Sequence, residues 1–256
     1  MSRISSALAR RKALIAYVTV GYPSVEVTLE VVPLLADWGC DVVELGIPFS
    51  DPMADGTTIQ DAAYRALKNG VTPQLCMEMA AKLRRKVDIP LVFMTYYNPV
   101  FNMGLENFCR LSSQSGVDGL IIPDLPPEEG EELEACTSRE GMDLIYLLAP
   151  TSSEERVDLV SRRSRGFIYL VSLTGVTGAR RDLPSDLEAF VGRVRKRASL
   201  PLCVGFGIAT PEQARRAAGV ADGVIVGSRL IQLLDEYPYR RLNELVAGLR
   251  NALDTS

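Results

Sequence analysis

Eight short apolar runs recur along this chain, and the helical stretches between them make that alternation the strongest limit on its fold. The runs are ALIAYVTV (13–20), DVVELGIP (41–48), PLVFMTYY (90–97), GLIIPD (119–124), DLIYLLAP (143–150), GFIYLVSL (166–173), PLCVGFGI (201–208) and DGVIVGSR (222–229). Between them, TIQDAAYRALKNG, PQLCMEMAAKLRRK, SDLEAFVGRVRKRAS and TPEQARRAAG carry capping signals and apolar residues three or four positions apart. Strands apolar on both faces, each followed by a helix, predict the α/β class and a closed parallel (β/α)8 TIM barrel as one domain over residues 1–256. The leading RISSALARR is expected to form an extra N-terminal helix against the barrel floor. One stretch resists this reading, because SVEVTLEVVPLLADWG alternates with period two and places Pro33 where a helix interior belongs. It is nonetheless assigned as helix, since two parallel strands need a crossover between them.

Composition narrows the chemistry. A net charge of -4 over 256 residues supplies no field to hold a polyanion, so sequence-independent nucleic-acid binding is not expected. The basic clusters Arg10 to Lys12, Arg84 to Lys86 and Arg193 to Arg197 read as solvated charge on helix ends and polar faces. No signal, anchor or spanning segment is visible, and five scattered cysteines, Cys40, Cys76, Cys109, Cys136 and Cys203, suggest buried thiols in a reducing cytoplasm. The chain has no histidine, which removes imidazole acid/base work, His-based triads and His-ligated zinc together. Proton transfer is left to carboxylates, Lys, Tyr or Cys.

The stretch VELGIPFSDPMADGTTIQ supplies two such carboxylates, Glu44 inside the second run and Asp55 on the loop after it. If Val43, Leu45 and Ile47 face the helices, alternation points Glu44, with Val42 and Gly46, into the lumen. A carboxyl group there is desolvated and its pKa rises, while Asp55 overhangs the same mouth. The pair suits acid/base work; the alternatives are a buried ion-pair partner for Glu44 and a plain turn residue for Asp55. At the other end of the chain, GFGIATPEQA and VGSRL follow the seventh and eighth runs, where barrels commonly seat a phosphate on backbone N–H groups. Gly205, Gly207 and Gly227 let the backbone approach an anion and Ser228 adds a hydroxyl, although lone glycines at strand ends are more often turns. The loop TGVTGARRDLP (174–184) is long for its position and reads as a lid or as a surface loop. Tyr17, Tyr96, Tyr97 and Tyr169, near strand tips, are candidates for a pocket wall or for ordinary packing.

ELGIPFSDPMADGTTIQ, MTYYNPVF, IIPDLPPEE, LLAPTS, SLTGVTGAR, VGFGI and GVIVGSRL, in that order, closely resemble the tryptophan synthase alpha chain family from about residue 3 to 250. The resemblance implies a barrel that cleaves indole-3-glycerol phosphate, by a retro-aldol reaction, into indole and glyceraldehyde 3-phosphate. It implies Glu44 as the general acid/base that protonates the indole carbon, and Asp55 as the group that holds the indole N–H and stabilises the cationic intermediate. Gly178, Gly207, Gly227 and Ser228 match the family's phosphate contacts, Thr177 its lid threonine, and Tyr17, Tyr96, Tyr169 and Phe206 its pocket walls. Thr57 stands where many members have proline. No cofactor is implied for this chain; pyridoxal phosphate is expected in a partner beta chain, in an alpha2-beta2 heterotetramer, contacted by the loops around Asp51 and Pro126 to Glu128. A Schiff-base aldolase is disfavoured, since no strand run contains a lysine. A stand-alone lyase, another phosphate-binding barrel enzyme and a non-catalytic activator of a beta chain remain as alternatives.

Overall fold

A computed structural model of the chain describes residues 1–171, 186–205 and 207–256. The strands are β1 (Ala13–Thr19), β2 (Val42–Gly46), β3 (Leu91–Met94), β4 (Gly119–Ile121), β5 (Asp143–Ile145), β6 (Leu147–Leu148), β7 (Ile168–Val171), β8 (Leu202–Gly205) and β9 (Gly223–Val226). Each pairs parallel with its neighbours in the order β5-β4-β3-β2-β1-β9-β8-β7-β6. The two ends of that order, β5 and β6, are halves of the fifth apolar run joined through Tyr146, so the sheet returns on itself as a TIM barrel. The break has a local cause. The Tyr146 N–H donates to Ser164 Oγ at 3.1 Å while its carbonyl still accepts from the Tyr169 N–H at 3.0 Å, and the chain changes neighbours at that residue.

The expected helix at 25–37 forms in spite of its period-two pattern. Ser24 caps it, accepting from the Val27 N–H at 3.3 Å. Pro33 cannot donate to the Leu29 carbonyl one turn back, and the Lys86 ammonium donates to that oxygen instead, at 3.3 Å. The strands are shorter than their apolar runs, and two of the runs turn helical toward their ends. Strand β3 stops at Met94, and Tyr97–Met103 is helical; β9 stops at Val226, and Ser228–Ile231 is helical. All five cysteines are buried and free.

The N-terminal helix Arg3–Leu8 closes the barrel floor as expected, with Ile4 fully buried. Ile4 needs two glycines: a Cβ on Gly119 would lie 2.8 Å from its Cδ1, and one on Gly166 3.0 Å from its Cγ2. Around the floor, three aspartates that precede strands fix the starts of neighbouring strands. Asp41 accepts from the Leu14 N–H at 2.8 Å, Asp118 from Leu91 at 2.9 Å and Asp222 from Leu202 at 2.8 Å. Each carboxylate is neutralised by arginine: Asp41 by Arg11 and Arg250, both at 2.9 Å, Asp118 by Arg84 at 3.0 Å, and Asp222 by Arg195 at 2.6 Å. This corrects the reading of the basic clusters only in part, since Arg10, Arg85, Lys86, Lys196 and Arg197 are exposed, as expected of solvated charge. Arg11, Arg84 and Arg195 are tethers of the floor, and Arg193 donates to the Ser152 and Pro150 carbonyls. Among the described residues no helix is long and apolar enough to cross a membrane.

Candidate active site

The mouth of the barrel contrasts with its floor. Glu44 sits mid-strand on β2, in register with Tyr17 of β1 and Val92 of β3. Every residue of β2 is buried, so burial alone does not separate lumen from helix side; Glu44 is resolved by lining the mouth cavity together with Tyr17, Asp55, Tyr169, Gly227 and Ser228. Its side chain is 0% exposed, and neither carboxyl oxygen has a partner among the described residues. Burial pushes its pKa up to about 8. At pH 7 the group is mostly the neutral acid, which is how a carboxyl group with no counter-ion among the described residues survives in this position.

Asp55 reaches the same cavity from the loop between β2 and the helix Thr57–Lys68, whose N-cap is Gly56. Thr57, in the place of proline, takes the first helical position. The loop is held from below: Gln60 Nε2 donates to the Asp55 carbonyl at 2.8 Å. The Tyr96 hydroxyl donates to Asp55 Oδ2 at 3.0 Å and accepts from the Ala54 N–H at 2.9 Å, with its ring 5.4 Å from that of Phe49. Tyr96 thus brackets the carboxylate through its hydroxyl, and it is not among the described residues that line the cavity. Oδ1 of Asp55 is buried without a partner. Burial raises the Asp55 pKa, and the Tyr96 hydrogen bond pulls it back. Removing that bond in Tyr96→Phe is expected to lower turnover about tenfold, the worth of a hydrogen bond to a charged group. It is also expected to move the acidic limb of kcat/KM to higher pH, because Asp55 then holds its proton longer; a pH–rate profile reads both effects.

Tyr17 and Tyr169 shape the lumen above Glu44 by crossing glycines on the adjacent strands. A Cβ on Gly46 would lie 2.2 Å from the Tyr17 hydroxyl oxygen, and one on Gly205 2.3 Å from that of Tyr169. Both rings thus reach the cavity, and burial raises both phenol pKa values. Farther along, Gly207, Ile208 and Ala209 meet Gly227 and Ser228. Gly207 has φ +84°, which favours glycine, and the helix Pro211–Ala218 beyond it starts with a capping box of Thr210 and Gln213. The structure brings together Glu44, Asp55, Tyr17, Tyr169, Gly207, Gly227 and Ser228. Thr177, Gly178, Phe206 and the loop 174–184 lie outside the described residues.

The sequence reading did not single out the cavity walls Ile59, Met94 and Ile225, or Arg229 at its edge. An apolar residue at an inward strand position has the same pattern over a cavity as over packed core, so the first three carry no signal. Arg229 had one, its place directly after Ser228. Among the described residues no three His, Cys, Asp or Glu side chains converge to hold a metal ion. The arrangement offers a neutral buried acid, a hydrogen-bonded carboxylate, apolar walls in the same cavity, and a glycine-lined edge for an anion.

The family model described as "Tryptophan synthase alpha chain" matches residues 5–252. A tryptophan synthase alpha chain from Dehalococcoides mccartyi is 57% identical over 255 residues, covering 99% of this chain and 100% of that one. One from Geobacter sulfurreducens is 46% identical, covering 99% and 98%. Among solved structures, tryptophan synthase subunit alpha from Legionella pneumophila superposes with a TM-score of 0.91 at 36% identity, covering 100% of both chains. A chain of Mycobacterium tuberculosis tryptophan synthase gives 0.92 at 37% identity, covering 98% of both.

Proposed function

The chain belongs to the tryptophan synthase alpha chain family, and from that premise we propose how its mouth carries out the alpha reaction, the retro-aldol cleavage of indole-3-glycerol phosphate. The observation that carries the proposal is Glu44: a lumenal carboxyl group with no partner among the described residues and a pKa raised to about 8 starts the cycle protonated at pH 7. It gives its proton to C3 of the indole ring. The ring becomes cationic, and the Asp55 carboxylate, accepting the ring N–H, stabilises that charge where it develops. Glu44, now the carboxylate, takes the proton of the neighbouring glycerol hydroxyl as the C–C bond breaks. The electron pair of that bond returns to the ring, indole and the aldehyde separate, and Glu44 ends as it began. Gly207, Gly227 and Ser228 are the phosphate end of the site.

A beta chain that consumes indole is the partner. We place pyridoxal phosphate in that chain and assign the alpha2-beta2 stoichiometry to the assembly. The exposed loop carrying Asp51, with Met53 88% exposed beside it, supports a docking face there together with Pro126 to Glu128. The test is indole release from indole-3-glycerol phosphate by the purified chain, alone and with a relative's beta chain. Slow release alone and faster release in the mixture are expected. No release in either condition would remove the catalytic reading and leave an activating one; full-rate release that a beta chain leaves unchanged would mark a stand-alone lyase.

A further inference from the structure

The phosphate end holds a charge that the family's matched contacts do not include. Arg229 follows Ser228 in the helix Ser228–Ile231 and lines the same cavity as Gly207, Gly227 and Ser228. It is half-buried, and its side chain donates to the neutral Oε1 of Gln232 at 3.2 Å. Among the described residues it forms no ion pair. The floor arginines Arg11, Arg84, Arg195 and Arg250 are all committed to aspartates.

The electrostatics of the cavity give that uncommitted guanidinium a purpose. The other ionisable side chains lining it are Glu44, Asp55, Tyr17 and Tyr169, which are acids and phenols. A phosphate dianion entering there meets no other cation among the described lining residues. Backbone N–H groups at the glycines supply hydrogen-bond geometry without net charge, and the Asp55 carboxylate repels the incoming anion. A guanidinium held, among the described residues, by a neutral amide exchanges it for phosphate oxygens at little cost, and a charge-assisted bond is the stronger of the two.

We infer that Arg229 is the counter-cation of the substrate phosphate, a binding residue that adds charge to the backbone groups and the one hydroxyl of the described part of the cradle. The inference rests on the phosphate reading of Gly207, Gly227 and Ser228. It is tested by measuring KM and kcat for indole-3-glycerol phosphate, with inorganic phosphate and indole as separate competitive inhibitors, in the wild type and in Arg229→Ala, Arg229→Gln and Arg229→Lys. In the Ala and Gln variants KM and the inhibition constant for phosphate are expected to rise about tenfold or more, as for a lost hydrogen bond to a charged group. Most of the loss falls on KM rather than kcat, Lys recovers much of it, and inhibition by uncharged indole stays as in the wild type. Unchanged KM and phosphate inhibition in both the Ala and Gln variants would overturn the assignment. So would equal weakening of indole and phosphate, which would make Arg229 a support for the helix. A wild type that cleaves the substrate yet ignores inorganic phosphate at any concentration would remove the phosphate reading itself, and Arg229 with it.

Discussion

Glu44→Gln is expected to lower indole release about 10²–10⁴-fold, the range of a lost general acid/base, while the substrate still binds. The amide keeps the shape of the side chain and has no proton to give to the ring or site to take one from the hydroxyl. Since the wild-type group titrates near pH 8, kcat/KM of the wild type should fall as pH rises through that value, because the free enzyme then loses the acid that starts the reaction. The same shift makes a stability prediction of opposite sign. A carboxyl group with a pKa raised in the folded state favours folding below its unfolded pKa, and that contribution is lost between the ordinary carboxyl range and about pH 8. Glutamine never ionises. The variant should therefore unfold at higher temperature than the wild type at pH 8, with the difference closing toward pH 4. Thermal unfolding at the two pH values, beside the indole assay, reads both halves. A variant that is inactive and also less stable at pH 8 would mean that Glu44 is held by a favourable partner, and the assigned role would fail.

This trade between activity and stability accounts for what could be read before the fold was known. Glu44 stood out because a charged residue in an apolar alternating run has no cheap explanation, and strand period alone chose its face. Asp55 followed from chain proximity to the mouth. What escaped depended on contacts between residues far apart in sequence. The run ending in Tyr96 and Tyr97 has the composition of a strand, yet the Tyr97 N–H is taken by Asp124 Oδ1 at 2.8 Å, which starts a helix from a residue on another loop. The family resemblance implied Tyr96 as a pocket wall, while its place at a strand tip left ordinary packing open as well. Its hydroxyl contacts with Asp55 and Ala54 belong to loop geometry that no spacing encodes. The arginines of the floor carry the same lesson: Arg84 and Asp118 are 34 residues apart, Arg250 and Asp41 209. On a helix with alternating polar and apolar positions an arginine looks like solvent-facing charge until its partner is known.

Arg250→Met is expected to destabilise the fold by about 3 kcal/mol, the low end of the cost of breaking a buried ion pair, with little change in kcat. Arg250 lies on the C-terminal helix Arg240–Asp254 and is only 7% exposed. It donates to Asp41 Oδ2 and to the Lys12 carbonyl, both at 2.9 Å, and pairs with Asp254 at 2.7 Å. Its stem crosses Gly39, where a Cβ would lie 3.0 Å from the Arg250 Cγ and φ is +101°. Methionine keeps that stem and removes the guanidinium, so the loss isolates the charge and hydrogen bonds from the packing. Asp41 is then left with Arg11 and the Leu14 N–H, which is why the low end of the range applies. Urea denaturation of the single variants and of the pair with Asp41→Asn separates the terms: coupling between the two sites of more than about 1 kcal/mol marks a true pair. A loss within the ~0.5 kcal/mol of an ordinary surface substitution would show that the Arg250 ion pairs contribute little to stability. An unchanged kcat would place the stabilising charges at the end of the barrel away from the chemistry. The paired carboxylates of the floor and the carboxyl groups of the mouth then have opposite tasks, the first neutralised to hold strands in register, and Glu44, without a counter-ion among the described residues, keeping the proton that the proposed reaction needs.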